Sequence, residues 1–221
     1  MANPVKIKAK VLSINTFGSD TYVLTLKPYS NIPRYKAGQF LHLSIDAFDP
    51  TDGFWPESRV FSIASATNMS EIEIIYSVKG SYTTRMAEVL APGYEVWLKL
   101  PYGNFIIDSL IKPKQDVVII AGGTGISPFL PFFYELLTRN NSRDNKISLY
   151  YGIRSNALLL ARHLLENCAL LDNMQISICI ENEPPDEYLN TPYIKKMFGR
   201  LDIIKIFNEA QELNDPVFFL S

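Results

Sequence analysis

The stretch AGGTGISPF, Ala121–Phe129, decides the fold of this chain. It follows Asp116–Ala121, a continuous apolar run that reads as a strand buried on both faces of a parallel sheet. It leads into Pro128–Thr138, which reads as a helix. Glycines at such a junction let the backbone turn tightly and approach a ligand closely. A helix N-terminus there offers free N–H groups and a positive dipole end to a pyrophosphate. Thr124 and Ser127 add hydroxyl donors. Pro128 replaces the third glycine of the usual dinucleotide fingerprint. A glycine turn between strand and helix is also common without any ligand.

Working outward, strands alternate with helices. Lys146–Tyr151 is a second strand, Ala157–Asn167 a second helix and Met174–Glu181 a third strand. A helical pattern runs from Ile194 to about Glu212, and Val217–Leu220 is a fourth strand. This alternation predicts a doubly wound α/β sheet. Upstream the character is all-β, with short β-branched or aromatic runs at Val5–Asn15, Thr21–Lys27, Phe40–Ile45, Arg59–Ala64, Ile72–Val78 and Tyr94–Leu100. Turn residues such as Gly18, Gly38, Gly80 and Gly93 separate them. Six strands at this spacing predict a small barrel, interrupted by one helix, Thr83–Leu90. IKPKQ, within Asp108–Gln115, reads as the connector, so domains are expected at 1–110 and 111–221.

The 221 residues are 47% hydrophobic and 20% charged, with a net charge of −2. Nothing in that balance points to nucleic acid, whose binders carry basic patches. Cys168 and Cys179 form no CxxC pair, and two thiols with two histidines make no ordinary zinc or iron–sulfur set. No metal is expected. The N-terminus lacks a signal-peptide pattern, and no apolar run is long enough to span a bilayer. The expected location is cytoplasmic, with reduced cysteines.

Two further segments carry chemistry. In RVFSIAS, Arg59–Ser65, alternation puts Arg59 and Phe61 on one face of a strand and Val60 and Ser62 on the other. An arginine fork binds phosphate, and an aromatic ring packs against a flat heterocycle. In GSYTTRM, Gly80–Met86, a glycine and hydroxyls open a helix, with Thr83 the expected N-cap. Taken alone, the first pair also reads as a surface charge beside a core residue.

Together and in order, these segments resemble the ferredoxin-NADP⁺ reductase superfamily. Its pattern runs RxYS, GxxS/T, PxGxF and GGTGxxP; here it reads RVFS at 59–62, GSYT at 80–83, PYGNF at 101–105 and GGTGISP at 122–128. YKAGQF at 35–40 and YYGIR at 150–154 also fit. The resemblance implies two domains: an N-terminal antiparallel Greek-key β-barrel for FAD and a C-terminal α/β doubly wound parallel sheet for NADH or NADPH. It implies that Arg59 pairs with the FAD pyrophosphate, that Val60 and Phe61 border the flavin, and that Ser62, the catalytic contact, hydrogen-bonds near flavin N5. Ile75, Tyr76 and Val78 would line the flavin through backbone. Gly80, Ser81 and Thr83 would cradle its phosphates. Gly122, Gly123, Thr124 and Gly125 would meet the nicotinamide dinucleotide. Hydride then passes from nicotinamide C4 to N5 with no general base, so catalysis rests on positioning.

Two departures stand out. Phe61 replaces the motif's tyrosine and lacks its hydroxyl. The chain also stops in Val217–Ser221, where the family continues with a segment that helps seat nicotinamide. The implied function is an NAD(P)H-dependent flavoprotein reductase that passes electrons to free flavin, a ferredoxin or an oxygenase component; the alternative is a non-catalytic flavin-binding or regulatory electron-transfer subunit. NADH is the expected donor, because the third strand ends in ENEPPDE, with Glu181 and Glu183 and no basic residue nearby in sequence. An acidic side chain accepts from a ribose 2′-OH and repels a 2′-phosphate. Arg154, at the end of the second strand, argues the other way. His42, His163, Trp55, Trp97 and the two cysteines read as packing or surface residues.

Overall fold

The computed structural model describes residues 4–51, 53–138, 145–186 and 192–221. The chain divides into two compact units. One holds the chain up to Ile106 together with Ser127–Phe132; the other holds Ile107–Ile126 and Phe133–Ser221.

The first unit is a six-stranded antiparallel sheet of β1 (Val5–Phe17), β2 (Thr21–Pro28), β3 (Phe40–Ser44), β4 (Arg59–Ser62), β5 (Ile72–Ser77) and β6 (Glu95–Tyr102), ordered β4-β3-β6-β1-β2-β5. Helix α1 (Ser81–Val89) lies between β5 and β6. Strict alternation builds the barrel: in VKIKAKV, Ile7, Ala9 and Val11 are buried while Lys6, Lys8 and Lys10 face outward. Leu24, Leu26, Leu41, Leu43, Ile72, Ile74, Leu98 and Leu100 complete an interior fully removed from water. Each such side chain contributes about 1.5–3 kcal/mol of transfer free energy. The barrel closes incompletely. The edge strands β4 and β5 meet at the Ile63–Ile74 bridge and at the Ala64 N–H donated to Glu73 C=O (2.8 Å). Beyond it, Arg59–Ser62 and Ile75–Ser77 diverge without ladder pairing, leaving an open seam.

The second unit is a five-stranded parallel sheet of β7 (Val117–Gly122), β8 (Ile147–Ile153), β9 (Met174–Ile180), β10 (Ile194–Phe198) and β11 (Val217–Leu220), ordered β10-β9-β8-β7-β11. Its helices are α2 (Ile107–Leu110), the Phe133–Thr138 part of α3 (Leu130–Thr138), α4 (Arg162–Cys168) and α5 (Ile203–Ala210). The run Val117–Ala121 is buried throughout, as a strand covered on both faces requires. Ile206 and Ala210 of α5 pack on Val118, Ile120 and Tyr150. Cys168 and Cys179 are free, buried thiols, and burial pushes the Cys168 thiol up to about 12.

Three sequence expectations need correction. The segment read as helical from Ile194 begins as strand β10, paired in parallel with β9 from Ile194–Ile176 to Phe198–Ile180. Gly199, at φ +109, turns the chain out of the strand, and Asp202 caps α5 by accepting from the Lys205 N–H (3.0 Å). Val217–Leu220 is therefore the fifth strand of the sheet. The helix expected from Pro128 becomes α-helical only at Leu130, after a 3₁₀ segment, Gly123–Phe129. The helix expected over Ala157–Asn167 is a short 3₁₀ turn, Asn156–Leu158, then α4, with Ala161 left-handed between them at φ +54.

Candidate functional site

In the first unit the candidate residues gather at the open seam. β4 pairs with β3 so that Leu41 opposes Phe61 and Leu43 opposes Arg59, which puts Arg59 and Phe61 on the barrel's inner side. Val60 and Ser62 take the outer side, beside His42 and Phe40. Phe61 is half-buried and tilts against Tyr76 at 6.1 Å, and Tyr76 stacks on Tyr22 at 5.1 Å. The Tyr76 hydroxyl is buried with no partner among the described residues, and burial raises its pKa to about 12. Its side chain belongs to the barrel core; Ile75 is buried on the opposite side of β5, and the Val78 N–H donates to Asp20 C=O (2.9 Å).

The exposed guanidinium of Arg59 lies over the Tyr82 ring, 4.6 Å from its centre, donating to Glu57 (2.8 Å) and to Ser58 C=O (3.0 Å). Three of its five donors remain for a ligand. Tyr82, in the first turn of α1, is itself fixed. Its hydroxyl accepts from the Ile45 N–H (3.1 Å) and donates toward Leu43 C=O (3.1 Å). Strand β4 and the N-terminus of α1 are thereby held together by a residue that sequence reading passed over. The only signal was its place between Gly80 and Thr83.

Gly80, not Thr83, is the N-cap of α1. The Thr83 hydroxyl turns back, accepting from the Lys79 (2.9 Å) and Gly80 (3.2 Å) N–H groups. The N–H groups of Ser81, Tyr82 and Thr83 fall in the first turn, where a helix supplies no acceptors. No acidic side chain stands in that turn, and a Cβ at Gly80 would meet nothing within 4 Å. An arginine fork, open first-turn N–H groups and an unpaired seam fit a flavin carrying a pyrophosphate. Elsewhere in this unit the two remaining motifs lock together: a Cβ at Gly38 would collide with Phe105 C=O, and Gln39 Nε2 donates to Gly103 C=O (3.0 Å).

In the second unit, β7 ends at Gly122 and the chain turns through Gly123 at φ +52. The buried Tyr151 hydroxyl donates to Gly123 C=O (3.0 Å), anchoring the turn. A Cβ at Gly122 or Gly123 would meet nothing within 4 Å, so space is open at this strand end. Gly125 differs, since its Cβ would stand 2.6 Å from Ser221 C=O. Its glycine is required by the close approach of the chain after β11, whatever ligand is bound. Thr124 is half-buried and Ser127 is buried.

Arg154, Glu181 and Gly199–Arg200 stand in a row at the C-terminal ends of β8, β9 and β10. Arg154 is exposed, and its carbonyl accepts from the Asn182 N–H (3.0 Å). Glu181 accepts from Arg200 Nε at 2.6 Å. No basic residue neighbours Glu181 in sequence; parallel pairing of β10 with β9 brings Arg200 there. Glu183 is occupied by Asn156 Nδ2 (3.0 Å). His163 is exposed beside Glu166 (3.3 Å), and Trp55 donates to Ser58 Oγ (2.9 Å). Among the described residues no cluster of metal ligands occurs, and no helix is long and apolar enough to cross a membrane.

Comparison with known proteins agrees with this geometry. The model of an FAD-binding domain matches residues 6–156, and that of an oxidoreductase NAD-binding domain matches 119–205. The chain is 28% identical over 189 residues to an NAD(P)H-flavin reductase of Vibrio harveyi, covering 81% of this chain and 74% of that protein. It is 27% identical over 188 residues to the reductase component of propane 2-monooxygenase from Mycolicibacterium smegmatis, covering 82% of this chain but half (50%) of that protein. A ferredoxin NADP⁺ reductase structure from Neisseria gonorrhoeae, with bound FAD and NADP, superposes with a TM-score of 0.71 at 16% identity, over 100% of this chain and 85% of that one. The barrel with its open seam, the parallel sheet with its glycine turn and the two matching domain models place this chain in the ferredoxin-NADP⁺ reductase superfamily of NAD(P)H-dependent flavoprotein reductases.

Proposed function

We propose that residues 1–110 hold FAD, that residues 111–221 hold NADH or NADPH, and that the protein passes the electrons to an acceptor. The observation that carries the reading is Arg59, held by Tyr82 beside the first turn of α1 at the barrel seam. When bound, the flavin supplies the two-electron chemistry, accepting hydride at N5. The chain's residues position and bind. Arg59 and the first-turn N–H groups of Ser81 to Thr83 hold the pyrophosphate. Phe61 packs on the ring system, with the backbone of Val60, Ile75, Tyr76 and Val78 along it, and the Ser62 hydroxyl meets N5. Gly122, Gly123, Thr124 and Gly125 form the turn under the dinucleotide phosphates. Arg154 and Glu181 stand at the adenine ribose.

Relatives name two kinds of acceptor. The Vibrio protein is a flavin reductase and the Mycolicibacterium protein serves a monooxygenase. Free flavin or an oxygenase component is the proposed acceptor here, and the cytoplasm, where buried thiols stay reduced, the proposed location. Anaerobic titration of the purified protein with NADH and NADPH, followed at the flavin absorbance band, tests this reading. Bleaching supports it. A yellow protein that neither nucleotide bleaches leaves the electron-transfer subunit, and a colourless protein that takes up no FAD refutes both.

A further inference from the structure

We propose, on the flavin-binding reading above, that the Glu57 carboxylate competes with the phosphates of the flavin for Arg59, and that this competition sets how tightly the flavin is held. One terminal nitrogen of Arg59, Nη2, donates to Glu57 Oε1 at 2.8 Å. The other, Nη1, donates to Ser58 C=O at 3.0 Å. A phosphate that meets the fork end-on takes a hydrogen from both terminal nitrogens. Glu57 and a pyrophosphate oxygen therefore seek the same end of the guanidinium.

The carboxylate is tethered at that end. The Tyr82 hydroxyl proton is shared between Leu43 C=O (3.1 Å) and Glu57 C=O (3.2 Å). Trp55 Nε1 donates to Ser58 Oγ (2.9 Å), which pins the turn on either side of Glu57. Tyr82 thus places both members of the ion pair, Arg59 by its ring and Glu57 by its hydroxyl. Arg59 does not need Glu57 for its pose, because the ring and Ser58 C=O already hold it. The Glu57 side chain is 57% exposed and that of Arg59 46% exposed. An ion pair so open to water is weak, and a phosphate, with more charge and more acceptor oxygens, displaces it. The displaced carboxylate stays tethered beside the phosphates, and like charges a few ångströms apart repel. Asp46 is taken up by Arg85 and no acidic side chain stands in the first turn of α1, so the opposing charge comes from Glu57.

The test is titration of the purified protein with FAD, FMN and riboflavin, followed by the quenching of flavin fluorescence. Glu57→Gln and Glu57→Ala should each bind FAD and FMN about fivefold more tightly than wild type, the scale of one exposed ion pair and one removed like charge. The difference should narrow as salt is raised. Riboflavin carries no phosphate and should bind all three proteins alike. In an Arg59→Ala background the gain from Glu57→Gln should shrink, because no fork is left to compete for. Unchanged or weaker FAD binding in both Glu57 variants refutes the competition. A riboflavin gain equal to that for FAD refutes it too, because the effect then comes from the shape of the turn. If wild type binds none of the three flavins, the flavin reading of the barrel seam fails instead, and the proposal with it.

Discussion

Arg59 and Tyr82 are stacked, with the guanidinium carbon 4.6 Å from the ring centre, which ties an edge strand of the barrel to the first turn of α1. Tyr82 is almost wholly buried and bonded at its hydroxyl to β3 and the residue that follows it, so the arginine rests on a rigid base. A flexible cation loses side-chain entropy on binding an anion; one laid on a fixed ring has lost part of it already.

Arg59→Ala should therefore weaken FAD binding roughly ten- to a hundredfold, the equivalent of about 1.5–3 kcal/mol for a charge-assisted contact. Tyr82→Phe keeps the stacking ring but leaves the Ile45 N–H without its acceptor. It should cost about 1–3 kcal/mol in urea unfolding with a smaller change in flavin affinity. Flavin fluorescence titration and denaturation curves separate the two effects.

Gly122 and Gly125 should behave differently. A Cβ at Gly122 meets open space, so Gly122→Ala should fold normally, stay yellow and raise the KM for nucleotide by encroaching on the ligand. Gly125→Ala drives a methyl group against Ser221 and should lower Tm whether or not nucleotide is present. Equal Tm losses in the two variants would contradict this division.

Tyr151→Phe removes the hydroxyl that holds Gly123 C=O. Burial pushes this phenol's pKa upward, so it remains a donor across the neutral range. Loss of one net hydrogen bond, about 1 kcal/mol, should raise the KM for NADH roughly fivefold. Flavin content and kcat should move little. A fall in kcat at unchanged KM would place the effect elsewhere.

His42 sets a pH dependence. Its pKa is lowered from 6.5, first by burial and then by Lys99, so the folded protein binds fewer protons here than the unfolded chain. Stability is complete above the unfolded value of 6.5 and is lost as pH falls through the lower folded value. His42→Phe, among Phe40 and Tyr102, should flatten the loss in urea midpoints measured on either side of that pH. An unchanged slope would assign it to other groups.

Local pattern carried much of this molecule. The order of RVFS, GSYT and GGTG carries the resemblance to the reductase superfamily, the alternation in VKIKAKV dictates which side of β1 is wet, and the unbroken apolar run at Val117–Ala121 demands cover on both faces. These are statements about neighbours in sequence, where period and residue type suffice. The failures came where the partner is distant. YIKKMF is short and amphipathic, and it is a strand because β9 offers it a parallel ladder; no local preference says so. Arg200 reaches Glu181 through that ladder alone. Tyr82 counts because β3 and β4 fold against its ring and hydroxyl. Gly125 is glycine because the end of β11 runs beside it. Composition and period could mark the strands and turns of this chain, but the contacts that orient its charged groups span tens of residues, and packing chose them.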